Sequence, residues 1–453
     1  MKKVQLTEGP IFKGLFKLSV PLMATAFIQI AYNLTDTLWL GRLSADAMAS
    51  AGTNSYITWF GMSLVAISRV GSGVGIAQSI GAGKRDRALS FARHGIILNA
   101  FICLAYSLLM WFFRSEVIGF FNLNSPSIIA DAEAYLKIIT LGLWLFFFNP
   151  LLGNMLNSEG DSVTPFQISS VGLIINIFLD PVLIFGIGPI PAMGVMGAAY
   201  ATVFAQFVVF VLFLIIGTKR GAIFSGIAWK EKIEFKYFKY ITRVGLPVFF
   251  QIGVHGIVSI ILTRIVAGFG DLEVAVFVAG QQIESVSWMT AEGIAVAIST
   301  YIGQNFGARL KDRLWYSYKS SMYFIGFFGL IGTLFLVLGA VPIMKTFFPH
   351  DALAVVAGIS YLRIVGSSHI FMNLELGNEG AFSGIGRSEI SSAVAVIFNI
   401  MRLPMAFLLI RHFDVNGVWM AIAISSVFKG IVNIILFKPV LNKTMKAEEL
   451  KVA

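Results

Sequence analysis

Apolar segments about 20 residues long recur along almost the whole chain and are separated by short polar breaks. A helix of about 20 residues crosses the ~30 Å hydrocarbon core of a bilayer. Strands of a membrane barrel would instead alternate apolar and polar residues in pieces of about ten, and this sequence lacks that pattern. The pattern therefore predicts an all-α integral membrane protein with about twelve transmembrane helices. The predicted spans are residues 14–40, 46–80, 92–113, 132–156, 164–187, 193–217, 240–268, 274–303, 316–340, 353–382, 388–411 and 415–437.

The second half of the chain repeats the first. The segment AQSIGAGKRDR, residues 77–87, returns as GQNFGARLKDR, residues 303–313, and the same spacing relates Pro21 to Pro247. After a small deletion the spacing becomes slightly shorter, as between Asn176 and Asn399. An ordered series of matches at nearly constant spacing indicates a duplication. Because each half has about six spans, an even number, we expect two parallel-related six-helix lobes that enclose a central cavity.

The polar segments predict the domain boundaries and the orientation. Residues 218–239 form the longest polar stretch and divide a predicted N-lobe, residues 1–217, from a predicted C-lobe, residues 240–453. Lys and Arg concentrate in both tails, in this linker and in the loops after spans two and eight. Because positively charged loops stay in the cytoplasm, we expect both termini there and a multi-pass protein of the inner (cytoplasmic) membrane.

Composition supports this class and argues against others. Hydrophobic residues make up 57% of the 453, and the mean hydropathy is +0.80. The single cysteine, Cys103, can form no intrachain disulfide and indicates neither a redox site nor a metal cluster. The basic residues behind the net charge of +10 flank the spans, where they suit lipid headgroups better than nucleic acid. The sequence lacks a GxxxxGK[ST] loop, so we expect no use of ATP.

Asp36 lies inside the first apolar span. A carboxylate at the centre of a membrane helix costs roughly 2.5 to 3.5 kcal/mol, so its presence points to a function. Gln29, Asn33 and Asp36 follow one another at helical spacings and share one face, which should look into protein or water. The alternative is an interfacial position for Asp36, because Trp39 and Arg42 follow it and are typical of membrane interfaces.

The fifth span carries a second acid, Asp180, four residues after Asn176 and directly before Pro181. If Asp36 and Asp180 meet, both cannot ionise cheaply, and the pair should hold a proton near neutral pH. The two carboxylates could equally share a sodium ion, with amide oxygens of Asn33 and Asn176 as further ligands. The alternative for Asp180 is a capping role near the interface.

The repeat makes the distribution of these acids informative. The C-lobe has Leu262 and Leu403 where the N-lobe has its two acids, which indicates that ion coupling belongs to the N-lobe. Asn154, Asn157 and Thr202 lie in other N-lobe spans and are candidates for lining the cavity. Each of them could instead form interhelical hydrogen bonds only.

The C-lobe has its own polar residues within predicted spans. Glu284 lies in an apolar stretch and is the best candidate there for a cavity residue, whereas Glu292 follows two turns later. Glu375 and Glu379 lie toward a loop, where we expect them to be solvated. His255 is a further candidate, although a lone histidine more often serves only as a hydrogen-bond partner.

Several segments together resemble the multidrug and toxic compound extrusion (MATE) transporters, and more closely their DinF-type branch. They are NLTDTLWLGRL in span one, GQNFGA with its degenerate copy AQSIGAG, SEGDSVTP between spans four and five, and NIFLDP in span five. Through this resemblance Asp36, Asn176 and Asp180 match the family's N-lobe cation-binding pattern, and Gln29 and Asn154 match it less closely.

The resemblance also implies a mode of action. It implies cation-driven antiport of organic cations, a V-shaped cavity between the lobes, and a hinge at Pro21, where span one is thought to bend. The NorM-type branch is associated with acids in spans seven and ten. Span seven of this chain has His255 instead of an acid, which argues against sodium coupling in the C-lobe.

These observations predict a secondary multidrug efflux antiporter and not an enzyme. An outside cation, H+ in preference to Na+, binds Asp36 and Asp180, changes the hydrogen bonds of Asn33 and Asn176, bends span one and weakens drug binding. Such coupling needs only that ion and drug differ in affinity between states. We expect no cofactor beyond the coupling ion, no partner besides drugs and membrane lipid, and a monomer.

Two rival functions make different demands on the sequence. A flippase for lipids or lipid-linked precursors needs a strongly cationic cavity for phosphate, and the intramembrane charges here are mainly acidic. Arg69, Arg264 and Arg402 are the exceptions. An intramembrane aspartyl protease also needs two buried acids, but the sequence around Asp180 lacks the Gly-x-Gly-Asp pattern that is typical of such enzymes.

Overall fold

The structure is a computed structural model that describes residues 6–123 and 125–450. Within these residues the chain forms fifteen α-helices, one short 3-10 helix at Ile223–Gly226, and no strand. The helices are α1 Ile11–Leu43, α2 Ala45–Gly81, α3 Arg85–Phe112, α4 Arg114–Gly119, α5 Pro126–Ser158, α6 Val163–Phe185, α7 Gly194–Arg220, α8 Phe235–Ala267, α9 Asp271–Gly307, α10 Lys311–Leu338, α11 Ala340–Phe347, α12 Ala352–Gly366, α13 His369–Gly384, α14 Ser388–Phe413 and α15 Asn416–Leu450.

The long helices confirm the predicted fold class. Ten of the described helices are long and apolar enough to cross a membrane. The pair α12 and α13, bent by 45° at a short break, makes an eleventh, broken span. The helix α9 has 37 residues and therefore the length of a span, but it contains Glu284 and Glu292 and is not among these candidates. The described chain therefore has ten or eleven candidate spans by length and composition, and the count of twelve that the hydrophobic pattern predicts includes α9 as well.

The duplication is visible in the helix boundaries. The helices α9 and α10 begin and end where the spacing of the repeat places the counterparts of α2 and α3, and the short α11 begins at the position equivalent to the start of the short α4. One difference between the halves is that α5 is continuous whereas its counterpart is broken between α12 and α13. At the break, Ser367 Oγ donates to the carbonyl of Ile364 at 2.7 Å and Ser368 Oγ to that of Val365 at 2.8 Å. Serine side chains that bond to nearby carbonyls in this way compete with the helical ladder.

The chain divides into two compact units. The N-unit consists of Ala24–Ser79 and Lys84–Gly245, and the described part of the C-unit consists of residues 6–23, Ile80–Gly83 and residues 246–450. These boundaries differ from the predicted lobes because the first part of α1 groups with the C-unit and the first part of α8 with the N-unit. Both changes of unit lie close to a repeat-related proline, Pro21 or Pro247.

Glycines allow helices to approach closely within each unit. In the N-unit, a Cβ on Gly71 of α2 would overlap the backbone of Ile241 in α8, and one on Gly245 of α8 would overlap that of Ile67. In the C-unit, a Cβ on Gly293 of α9 would lie 2.9 Å from the backbone of Leu22 in α1. The absence of side chains at these positions therefore determines how closely α1 and α8 pack in their respective units.

The predicted linker, residues 218–239, is attached to the N-unit by buried polar side chains. Arg93 of α3, 3% exposed, donates from Nη2 to the carbonyl of Lys232 at 2.6 Å. Glu159 accepts a hydrogen bond at Oε2 from the backbone N–H of Ile223 at 3.0 Å. The linker therefore has fixed contacts with helices of its own unit, which its polar composition did not indicate.

Candidate functional site

The acids Asp36 of α1 and Asp180 of α6 meet inside the N-unit. Their carboxyl groups lie within hydrogen-bonding reach of each other, and Asn176 lies within reach of Asp36. Asn176 also donates from Nδ2 to Asp180 Oδ1 at 3.1 Å. Asp180 and Asn176 are completely buried, and Asp36 is half-buried. The structure thus brings together the three residues that the sequence singles out most strongly.

Helical spacing places these side chains opposite one another. Tyr32 and Asp36 lie one turn apart on α1, and Gly172, Asn176 and Asp180 follow one another at single turns on α6. A Cβ on Gly172 would lie 2.5 Å from the hydroxyl of Tyr32, so the absence of a side chain there makes room for the Tyr32 ring between the two helices. Further along these two faces, one turn after Tyr32 on α1 and two turns after Gly172 on α6, the carboxyl groups come together.

Two tyrosines complete the surroundings of the acid pair. Tyr32 of α1 and Tyr135 of α5 both lie within electrostatic range of Asp36 and Asp180. The sequence analysis did not select either residue. The signal for Tyr32 was its position four residues before an intramembrane acid, but Tyr135 lies in a different span and had no comparable local signal.

Several polar atoms of this site are buried and have no hydrogen-bond partner among the described residues. They are Asp36 Oδ1, Asp180 Oδ2, Asn176 Oδ1 and Tyr32 Oη. Leaving a buried polar group unsatisfied costs about 1 to 3 kcal/mol, and more when the group is charged. The arrangement therefore has capacity to bind a proton or a small cation between its oxygens.

The oxygen atoms of the site also indicate which kind of cation it can bind. Carboxylate and amide oxygens are ligands that hard cations prefer, so Asp36, Asp180 and Asn176 fit Na+ by chemical type. In the part of the chain that the structure describes, no group of three or more His, Cys, Asp or Glu side chains is placed to hold a metal ion. The oxygens of Asp36, Asp180 and Asn176 are suited by chemical type to a proton or a sodium ion.

The other predicted N-lobe residues lie elsewhere. Gln29 and Asn33 are on α1, but their side chains are exposed and make no described contact with the acids. Asn154 donates from Nδ2 to the carbonyl of Arg69 at 2.8 Å and so joins α5 to α2. Thr202 Oγ1 donates to a carbonyl of its own helix. Asn157 is buried, and its Oδ1 has no hydrogen-bond partner among the residues that the structure describes.

The predicted hinge residue, Pro21, lies within a continuous helix. The helix α1 is unbroken from Ile11 to Leu43 in this structure, with Pro21 inside it. Proline removes one backbone hydrogen bond of the helix and leaves this position easier to bend than its surroundings. Its position just before the change of unit is where such a bend would act on the acid-bearing part of α1.

The C-unit has polar contacts that the sequence did not reveal. Glu284 Oε2 lies 3.1 Å from His369 Nε2, and Glu284 Oε1 accepts a hydrogen bond from the hydroxyl of Tyr361. The expectation that Glu375 is solvated is wrong, because its side chain is buried and forms a 2.8 Å ion pair with Lys429. Glu375 lies in the middle of α13, not at its end, and α15 supplies the counter-charge.

Comparisons with known proteins agree with this architecture. The sequence pattern of the MatE family matches residues 21–182 and again residues 247–408, two matches of equal length that follow the spacing of the repeat. A protein of Thermotoga maritima named "Probable multidrug resistance protein NorM" is 27% identical over 436 residues, which cover 94% of this chain and 92% of that protein.

A second relative and a solved structure extend the comparison. The "FAD transporter" of Shewanella oneidensis is 27% identical over 349 residues, which cover 76% of this chain and 75% of that protein. The solved structure of MATE in the straight conformation matches with a TM-score of 0.91 and 25% sequence identity, over 98% of this chain and 99% of the other. The double match to the family pattern spans well over half of the residues, so the chain belongs to the MatE family of multi-pass membrane transporters.

Proposed function

We propose that this protein is a secondary antiporter that exports organic cations in exchange for protons, with Asp36 and Asp180 as the coupling site. The observation that carries the proposal is the hydrogen-bonding distance between the two carboxyl groups. Two ionised carboxylates are both acceptors, so a favourable contact between them needs a proton or a cation in between. A shared proton satisfies this need without any further ligand.

The coupling follows from the charge of the pair. When the proton leaves, the pair gains a negative charge in a site with few donors, and the affinity for a positively charged cargo rises. When a proton from outside returns, that attraction is lost and the cargo dissociates. Ion and cargo then need only bind the two charge states differently, which is the thermodynamic requirement for exchange.

Local groups can pass the change of charge to the helices. Asn176 already donates to Asp180, and the unpartnered hydroxyl of Tyr32 lies in range of both acids. On deprotonation this hydroxyl can turn to donate to the pair, which draws α1 toward α6. Pro21, nearer the start of α1, is the position at which the helix would bend.

The names of the relatives support export of small organic molecules. The Thermotoga relative is named for multidrug resistance, and the Shewanella relative for transport of FAD. The buried acid pair of the N-unit favours cationic cargo for this chain. The flippase alternative needs a strongly cationic cavity, whereas the buried Arg402 and Lys429 of the C-unit both have glutamates in electrostatic range.

The proposal can be tested with purified protein in proteoliposomes that contain ethidium. A pH gradient and a sodium gradient are imposed in separate experiments on the wild type, on Asp36→Asn and on Asp131→Asn, a control at an exposed acid of α5. We expect transport with the pH gradient alone, loss of at least tenfold in Asp36→Asn, and wild-type rates in Asp131→Asn. Transport that needs sodium would make the pair a sodium site, and transport under neither gradient would overturn the proposal.

A further inference from the structure

The ammonium group of Lys429 is held by oxygen ligands in the interior of the C-unit. Lys429 Nζ on α15 lies 2.8 Å from Glu375 Oε1 on α13 and 3.3 Å from Asn399 Oδ1 on α14. The side chains of the ion pair are each only 5% exposed. Glu379, one turn after Glu375, lies in electrostatic range of both charges. This is a built site for a protonated amine, and a side chain of the protein supplies the amine.

The duplication provides a neutral version of the same contact. The spacing that relates the two halves makes Asn149 the counterpart of Glu375 and Gln206 the counterpart of Lys429. In the N-unit, Asn149 Nδ2 donates to Gln206 Oε1 at 2.8 Å. The fold thus joins α5 and α7 with an amide pair at the position where it joins their counterparts, α13 and α15, with an ion pair. Because a buried ion pair gains little or no stability over neutral side chains, packing alone does not account for the charges in the C-unit.

The surroundings of the ion pair have acceptor groups beyond those that Lys429 uses. Glu379 accepts a hydrogen bond from Gln251 and has no ion-pair contact with a basic side chain among the described residues. Asn433 lies one turn after Lys429 on the same face of α15 and is completely buried. Neither its Oδ1 nor its Nδ2 has a hydrogen-bond partner in the described part of the chain. Glu379 and Asn433, on the two helices that carry the ion pair, are therefore polar groups that form no hydrogen bond or ion pair with Lys429 in the described part of the chain.

We infer that Glu375, Glu379 and Asn399 form a second cation site, that Lys429 occupies it as an internal substitute, and that a protonated amine of the cargo displaces Lys429. The inference rests on the proposed export of organic cations and names the chemical class that this site selects. Lysine is suited to the role because its ammonium is carried on a flexible four-carbon stem. Since the carboxylates of Glu375 and Glu379 and Oδ1 of Asn399 are hydrogen-bond acceptors, the site should prefer cations with N–H donors over quaternary ammonium ions.

The test measures thermal unfolding of the purified full chain with n-butylammonium or with tetramethylammonium, which has the same charge and no N–H. The variants are Lys429→Ala and the double variant Glu375→Asn/Lys429→Gln, which copies the amide pair of the N-unit. We expect n-butylammonium to raise the Tm of Lys429→Ala with a half-maximal concentration about tenfold below that of the wild type, because the internal competitor is gone. The double variant should respond equally weakly to both ions.

The readout does not depend on transport, so it separates this inference from the proposed function. If Lys429→Ala does not fold, the wild type still decides: n-butylammonium should raise its Tm more than tetramethylammonium, and this difference should vanish in the double variant. Equal stabilisation of the double variant and Lys429→Ala by n-butylammonium would overturn the inference. The same holds if n-butylammonium and tetramethylammonium act alike on every variant that folds.

Discussion

At the scale of single residues, the acid pair is defined by how few hydrogen-bond donors the described residues place near its carboxyl groups. Asp36 and Asp180 have one amide donor nearby, from Asn176, whereas a fully solvated carboxylate would have several. The sequence could predict the pair because acids and asparagine stand out in apolar spans. It could not predict Tyr135, because an aromatic residue in an apolar span has no distinctive pattern. Lys429 was missed although it is a lone charge in an apolar segment.

Tyr32→Phe tests the role assigned to the tyrosine hydroxyl. The hydroxyl is buried and has no hydrogen-bond partner among the described residues. Its removal should therefore leave the free energy of unfolding unchanged or raise it by up to about 1 kcal/mol, with a Tm equal to or slightly above that of the wild type. Proton-driven ethidium transport should fall several-fold, because the deprotonated pair loses a donor. Thermal unfolding and transport are measured together, with Tyr200→Phe at an exposed tyrosine of α7 as the control. A variant with wild-type transport would remove Tyr32 from the coupling step.

At the scale of helices, hydropathy predicts position well and contacts poorly. The span predicted at residues 193–217 is observed as the helix Gly194–Arg220, because a long apolar segment in a membrane has few other ways to satisfy its backbone hydrogen bonds. The span predicted at residues 353–382 is instead two helices, α12 and α13. The break depends on which carbonyls two serine hydroxyls bind, and composition does not specify this.

Pro21→Ala tests the hinge within α1. Alanine restores a backbone donor and fits the unbroken helix of this structure, so it should stabilise the helix, by about 1 to 3 kcal/mol. Transport should decrease at the same time, because the helix bends less readily. Tm and the rate of proton-driven transport are measured on the same preparation. An active variant with a raised Tm would show that exchange does not need bending at this residue.

Gly71→Leu tests the close approach of α2 and α8 within the N-unit. A side chain there would overlap the backbone of Ile241, so the free energy of unfolding should fall by about 1 to 3 kcal/mol. Gly52→Leu on the same helix is the matched control, because a Cβ at Gly52 meets no atom within 4 Å. Equal Tm values for the two variants would mean that the helices do not pack as closely as described.

At the scale of the whole molecule, one duplicated sequence serves two different chemistries. The N-unit keeps a pair of acids beside Asn176, and the C-unit has an ion pair whose ammonium contacts the equivalent Asn399. The repeat, the all-α membrane fold and the family were all predictable from the sequence, since each has a recognisable signal along the chain. The cytoplasmic position of both termini, the monomeric state and the DinF-type branch stay predictions. The exchange of helix segments between units was not predictable, because it depends on packing at Gly71, Gly245 and Gly293.

The central claim is that cargo and a proton compete through the Asp36–Asp180 pair. It is tested most directly by adding tetraphenylphosphonium to purified protein in weakly buffered detergent near neutral pH and following proton release with a pH indicator. Calorimetry confirms that the cation binds. We expect release of about one proton per protein in the wild type and in Asp131→Asn, and none in Asp36→Asn or Asp180→Asn. Binding to the wild type without proton release would contradict the account.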